Sequence, residues 1–259
     1  MSISQSLAGT RAVVTGATGG LGRAMAAALV NGGAQVVVTS RSRERAEEAA
    51  RELGVGAVGV AADVRDQESV AGLVTEVHER FGGIDLLVNN AGIGMRTVNP
   101  RFLEQSLPFW EVPPDGFRDV IDTKITGVFL VARAFAPVML AAGSGRIVNI
   151  SMSTSTMTRV GFVPYGPAGA GVEALSRIMA AELAETPVRV NMLLPGGATA
   201  TGMVPADAPS EVRARLLDPS IMGPPIAWLA SEAAEDVHDE RIIATEFPEW
   251  LAQRSSITL

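Results

Sequence analysis

Short apolar runs alternate with amphipathic stretches along most of this chain. The runs Arg11–Thr15, Gln35–Thr39, Ala57–Ala61, Ile84–Asn89, Arg146–Ile150, Val188–Leu194 and Arg241–Thr245 are nearly continuous in apolar residues. A strand covered on one face alternates apolar with polar residues, whereas a strand buried on both faces does not. The runs are therefore predicted as parallel strands inside a sheet. Helix-period segments separate them: Leu21–Asn31, Arg43–Leu53, Gln67–Phe81, Gly116–Ala141, Gly166–Glu185 and Pro224–Ala230. This alternation predicts an α/β fold: one doubly wound parallel sheet of the Rossmann type, with helices on both faces. No linker or shift in composition divides residues 1–259, so a single domain is expected. Two connections are long. Residues 94–115 carry Phe102, Phe109, Trp110 and several prolines, and residues 196–223 are rich in Gly, Pro and Met. Apolar loops of that length are expected to be lids over a substrate.

Composition narrows the function. Hydrophobic residues make up 47% of the chain, enough for a large core. The net charge of -7 is spread along the sequence, without a basic stripe. That argues against nucleic acid and against an anionic membrane surface as partners. Without cysteine there is no disulfide, thiol nucleophile or thiolate metal site. The two histidines, His78 and His238, lack ligand-like spacing, so no metal site is expected. Met1–Thr10 has no charged and apolar leader pattern, and no uninterrupted apolar run approaches a membrane span. A cytoplasmic protein acting on a small molecule is the expectation.

The first strand is followed by Thr15-Gly16-Ala17-Thr18-Gly19-Gly20-Leu21-Gly22 and then a helix. Glycines there permit a tight turn and let backbone N–H groups approach a pyrophosphate at a helix N-terminus. The second strand ends Thr39-Ser40-Arg41-Ser42-Arg43, with no carboxylate to hold a ribose 2′-hydroxyl. Arg41 can instead meet a 2′-phosphate, which favours NADP(H) over NAD(H). Asp63, past the third strand, is placed either to accept from an adenine amino group or to cap the next helix.

On these motifs the chain resembles the short-chain dehydrogenase/reductase family along nearly its whole length. Gly16, Gly20 and Gly22 match the family's TGxxxGxG; Asn89-Asn90-Ala91-Gly92 matches its NNAG; Pro195-Gly196 matches its PG turn. The resemblance implies a nicotinamide dinucleotide across the strand C-termini. It would lie against Gly16, Thr18, Gly20, Leu21, Gly22, Ser40 and Arg41, and against Asp63, Val64, Asn90, Ala91, Gly92, Pro195 and Gly196. The resemblance also implies a homodimer or homotetramer built on the two long helices.

The family's catalytic set is Asn, Ser, Tyr and Lys, and this chain departs from it. Tyr165, the single tyrosine, matches the Tyr of YxxxK, but the Lys position is Gly169. The Ser position is Met152, flanked by Ser151 and Ser153, and the Asn position is Lys124. Lys124 is the one lysine among 21 basic residues. A free phenol titrates near ~10, too high for efficient proton transfer at neutral pH unless a neighbouring cation favours phenolate. A long lysine stem from position 124 is expected to reach into the space left by Gly169 and supply that cation. Met95, Met152, Phe109 and Trp110 are candidate apolar lining, with Ser151 and Ser153 as polar contacts to substrate.

Three functions stay open at this point. The first is an NADP(H)-dependent oxidoreductase on a small carbonyl or alcohol, with Tyr165 as acid/base and Lys124 tuning it. The second is a redox-neutral isomerase, cyclase or lyase that uses Tyr165 and Lys124 as acid/base or amine catalyst. The third is a catalytically silent cofactor-binding protein.

Overall fold

A computed structural model describes residues 6–257. The first residues of the Met1–Thr10 segment, read above for a leader, lie outside them. The strands are β1 (Arg11–Val14), β2 (Gln35–Ser40), β3 (Ala57–Ala61), β4 (Leu86–Asn89), β5 (Gly145–Ile150), β6 (Val188–Leu194) and β7 (Arg241–Ile243). They form one sheet in the order β3-β2-β1-β4-β5-β6-β7, and each adjacent pair is parallel. The fold is thus the doubly wound α/β type expected from the pattern.

The helices are α1 (Gly20–Asn31), α2 (Arg43–Leu53), α3 (Gln67–Phe81), α4 (Pro114–Ile121), α5 (Gly127–Ala142), α6 (Thr154–Met157), α7 (Tyr165–Leu183), α8 (Ser210–Arg213), α9 (Gly223–Ala230) and α10 (Phe247–Ile257). Side chains alternate between the faces of each strand, so the sheet feeds two cores. Val14, Val36, Val88 and Leu193 meet α1 and α9 on one face. Val13, Leu87, Ile147 and Val190 meet α3, α5 and α7 on the other. Burial of both faces explains why the strands read as unbroken apolar runs.

Beyond shifts of a residue or two at element ends and the short helices α6 and α8, the elements expected from the pattern and those of the structure differ as follows. The helix expected over Gly116–Ala141 begins at Pro114 and contains one wide turn, Asp122–Thr126, where the Gly127 N–H donates to the Asp122 carbonyl. Such π-turns break the regular period locally and are frequent at functional sites. The last strand ends at Ile243 rather than Thr245, and α10 follows it unannounced. That helix is short, and it is held by Phe247 and Trp250, which stack on each other and meet Trp228 edge to face. Finally, the continuous helix Pro114–Ala142 is long and apolar enough to cross a membrane by length and composition, although charged residues, Lys124 and Arg133 among them, interrupt its apolar run as expected above. Its apolar content serves two surfaces: Val131, Phe135 and Met139 face the sheet, while Phe129 and Leu140 are exposed.

The order of the sheet reverses between β1 and β4, where crossovers leave in opposite directions. A crevice at such a switch point, beyond the strand C-termini, is where an open α/β sheet offers a binding site.

Candidate active site

A cavity of about 540 Å³ opens at that switch point. Loops after β1, β2, β3, β4, β5 and β6 all contribute to its wall. Gly16, Thr18, Gly20 and Leu21 line one end, with Gly19, which the sequence reading did not single out. Gly16 has a φ of +63°, and a methyl placed on it would sit 2.9 Å from Ala91 Cα. A side chain there would both strain the turn and push away the loop after β4. A methyl on Gly19 would meet nothing within 4 Å, so the backbone is bare toward the cavity. No acidic residue occupies the first turn of α1. The free N–H groups and partial positive charge of the helix start fit a pyrophosphate.

The loop after β4 is tied to this cradle. Asn90 donates to the carbonyls of Thr15 (2.9 Å) and Gly16 (3.0 Å), while the Asn90 and Ala91 N–H groups both donate to Thr15 Oγ1 at 3.0 Å. Asn90, Ala91, Gly92, Val64 and Pro195 line the cavity as expected. Gly22 and Gly196 do not. A methyl on Gly22 would lie 2.4 Å from Asn90 Nδ2, so this glycine serves close packing behind the cradle. Gly196 turns the chain after β6 at a φ of +95°.

At the far end Ser40, Arg41 and Arg45 line the cavity. Among the described residues no carboxylate forms an ion pair with Arg41 or Arg45. Asp63 is there too, but Arg65 holds both of its oxygens, with Nε at 3.0 Å from Oδ1 and Nη2 at 2.7 Å from Oδ2. That guanidinium pulls the Asp63 carboxyl below its usual range. The helix after β3 is capped by Asp66, which accepts from Ser69 N at 2.6 Å, and not by Asp63. The capping role thus belongs to Asp66, while Asp63 stays on the cavity wall with Arg65 against it.

Tyr165 and Lys124 meet in the opposite half of the cavity. The wide turn carries Lys124 inward, and only 8% of the residue is exposed. Its Nζ lies 5.2 Å from the centroid of the Tyr165 ring. The amine is also close to Gly92, where a methyl would be 3.4 Å from Nζ. Loss of water alone lowers Lys124 from 10.5 to about 8, because burial disfavours the ammonium. Burial raises the Tyr165 phenol for the same reason. The ammonium therefore faces the ring's negative face rather than the hydroxyl, and the expected depression of the phenol is not found.

The space over Gly169 holds a different residue from the one expected. A methyl on Gly169 would lie 2.5 Å from Met152 Cε and 2.6 Å from Met152 Sδ. Met152, not Lys124, fills the volume of the absent lysine. Ser151 lines the cavity, but its hydroxyl donates to Glu173. The same Glu173 oxygen accepts from Arg241 Nε at 2.7 Å, and Arg241 Nη2 donates to the Met152 carbonyl at 2.9 Å. Ser151 and Arg241 thereby pin the backbone that presents Met152. Ser153 bonds Thr156 Oγ1 at 2.8 Å.

Met95 is buried with Val98 and Phe162, and Phe102 and Tyr165 pack on that cluster. Trp110 does not join it. It is 72% exposed in a T-shaped pair with the exposed Phe109, outside the cavity wall. Phe102 and Phe162 take the lining role assigned to Trp110 and Phe109. The loop 196–223 supplies Met203, whose sulfur is 3.9 Å from the Tyr165 hydroxyl. The methionine content of that loop was the visible signal, but no local pattern marked which methionine reaches the phenol.

The arrangement holds a buried phenol and a buried amine lowered to about 8 in one cavity, beside a cradle for a dinucleotide. Comparisons with known proteins bear on the fold and the cradle. A sequence model described as short chain dehydrogenase matches residues 10–211. The chain is 38% identical over 237 residues to cis-4-hydroxycyclohexanecarboxylate dehydrogenase of Sinomonas cyclohexanicum, covering 87% of this chain and 91% of that one. A 3-ketoacyl-(acyl-carrier-protein) reductase of Brucella melitensis, solved with NADH, superposes with a TM-score of 0.81 at 30% identity, over 92% of this chain and 97% of that one. A chain from Beutenbergia cavernae solved with bound NADP has a TM-score of 0.80 at 33% identity, over 94% and 98% of the two chains. Fold, glycine cradle, Tyr165 and these similarities together decide among the functions left open above: the chain belongs to the short-chain dehydrogenase/reductase family and is an NAD(P)-dependent oxidoreductase of that type.

Proposed function

We propose that the protein is an NADP(H)-dependent oxidoreductase for a small carbonyl or alcohol compound, with Tyr165 as proton donor and acceptor and Lys124 as its charged partner. The observation that carries this reading is the Lys124 ammonium 5.2 Å from the Tyr165 ring centroid, in the cavity that the glycine cradle opens into. A bound nicotinamide supplies or takes up the hydride. The chain supplies the proton. Tyr165 stays protonated at rest because burial raises it, so its hydroxyl can donate to a substrate oxygen. Release of that proton leaves a phenolate, and the adjacent ammonium offsets the new negative charge. The cation works on the product state more than on the resting phenol, which is where it assists transfer.

Arg41 after β2 and Arg45 in the first turn of α2, neither in an ion pair among the described residues, support a 2′-phosphate and thus NADP(H). Phe117, Phe129, Leu140 and Ile178 on α4, α5 and α7 are large exposed apolar residues. A second copy covering this face gives the dimer or tetramer expected from the family, and light scattering tests it: a monomer at micromolar concentration rejects that part.

Oxidation of NADPH, followed by absorbance against a panel of ring and chain ketones, tests the activity. The reverse reaction is tested with matching alcohols, hydroxycyclohexanecarboxylates among them because of the Sinomonas cyclohexanicum relative. Turnover by the wild type, lost in Tyr165→Phe and in Lys124→Ala with the fold retained, is the expected result. Unchanged turnover in Lys124→Ala rejects the role of the amine. A borohydride-trapped adduct on Lys124 with a ketone, together with no NADPH oxidation, points instead to imine chemistry.

A further inference from the structure

We propose that Arg159 recognises an anionic group on the substrate, so that the compound turned over is an apolar carbonyl or alcohol carrying a carboxylate or a phosphate. The inference rests on the oxidoreductase reading above and adds the substrate class to it. Its first support is charge. The protein carries a net charge of -7, yet the cavity wall holds Arg41, Arg45, Arg65, Lys124 and Arg159 against one carboxylate, Asp63. Asp63 neutralises Arg65 at 2.7 Å. Arg41 and Arg45 sit at the β2 end, and Lys124 lies against Tyr165. Arg159 is the cation left over.

The second support is where Arg159 is held. It follows α6, between the cavity residues Thr156 and Phe162. Its guanidinium carbon lies 4.6 Å from the Phe162 ring centroid. Phe162 belongs to the apolar cluster with Met95, onto which Tyr165 packs. Among the described residues no carboxylate pairs with Arg159, although acidic residues outnumber basic ones, 28 to 21. A guanidinium resting on a ring has one face covered, while its N–H edge stays available for a bidentate bond to a planar anion. An exposed pair of this kind is weak in open water. Arg159 is itself exposed, and an apolar substrate body seated over the cavity would remove water from the contact. A surface arginine serving only solubility requires neither the ring nor the cavity.

Carboxylate on the molecule itself and phosphate on a carrier thioester share this chemistry, and substrate pairs distinguish them. The first pair is 4-oxocyclohexanecarboxylate and its methyl ester. The second is a 3-oxoacyl coenzyme A thioester and the matching N-acetylcysteamine thioester. For wild-type protein, kcat/KM with NADPH is expected to favour the anionic member of one pair by about 10- to 100-fold, the size of a charge-assisted bidentate contact. Arg159→Ala should bring that ratio to near unity, and Arg159→Lys should restore part of it. Each ratio is taken within one variant, so a smaller folded fraction cancels. A ratio that collapses in the first pair assigns a carboxylate, and one that collapses in the second assigns a carrier phosphate. Equal ratios in wild type and Arg159→Ala for both pairs overturn the proposal. If wild type reduces none of the four compounds, the substrate range proposed above fails instead. Calorimetric binding of the same pairs then decides the role of Arg159: an anion preference lost in Arg159→Ala upholds it, and no preference overturns it.

Discussion

Met152 occupies the volume above Gly169, with its Cε 2.5 Å and its Sδ 2.6 Å from where a side chain on that glycine would begin. The two positions are the family's Ser and Lys, so the departures from the usual set are coupled by packing. A thioether in place of a hydroxyl removes a polar contact. It also closes the hole left by a long side chain that is absent, and methionine is well suited to filling irregular gaps.

This coupling makes a double-mutant cycle informative. Gly169→Lys alone forces a side chain into Met152 and should cost about 1–3 kcal/mol, the usual range for overpacking. Met152→Ser alone empties the site and should cost about 2–5 kcal/mol. The double variant should be more stable than the sum of the two by about 1–3 kcal/mol. Urea denaturation of the four proteins reads this directly, and strict additivity would show that the two side chains do not share the space.

Lys124 should lower stability at neutral pH. Its pKa is about 8 in the folded protein against 10.5 for a free lysine, so between those values the unfolded chain holds more protons. Stability contributed by this group therefore rises as pH climbs from about 8 to 10.5, and the full cost is present below about 8. The drop corresponds to about 3 kcal/mol. Lys124→Met should stabilise the cofactor-free protein by up to that amount at pH 7, with the advantage shrinking toward pH 10.5. Denaturation midpoints of both proteins at pH 7 and pH 10 check the sign.

The same titration should appear in catalysis. If the ammonium supports the phenolate, kcat/KM for carbonyl reduction falls as pH rises through about 8. Lys124→Met should lose that limb along with most of the rate. Tyr165→Phe should lower kcat by about 10²–10⁴, the range for a removed general acid. A wild-type profile flat from pH 7 to 9 would exclude the amine from the rate-determining step.

Cofactor choice should turn on Arg41. Replacing it by Asp puts a carboxylate where a 2′-phosphate is expected, so NADPH affinity should fall about 10- to 100-fold while NADH affinity changes little. Dinucleotide fluorescence titration measures both. Equal losses for the two would assign Arg41 to a general electrostatic role.

The apolar runs alone determined the strands, and their lack of alternation determined that the sheet is parallel and covered on both faces. These are local properties, set by the period of side chains along an extended chain. The glycine turn after β1 and the missing catalytic residues were equally legible, because motif spacing is read along the chain. Helix α10 was not, since its hold comes from Trp228 on α9, across the intervening strand β7. Nor could spacing show that Met152 would take the room beside Gly169, that Trp110 would turn outward while Phe162 turned in, or that Lys124 would lie over the Tyr165 ring rather than at its hydroxyl. Those outcomes depend on which side chains from distant loops compete for one volume. That competition is settled by packing and by loss of water in three dimensions, which no periodicity encodes.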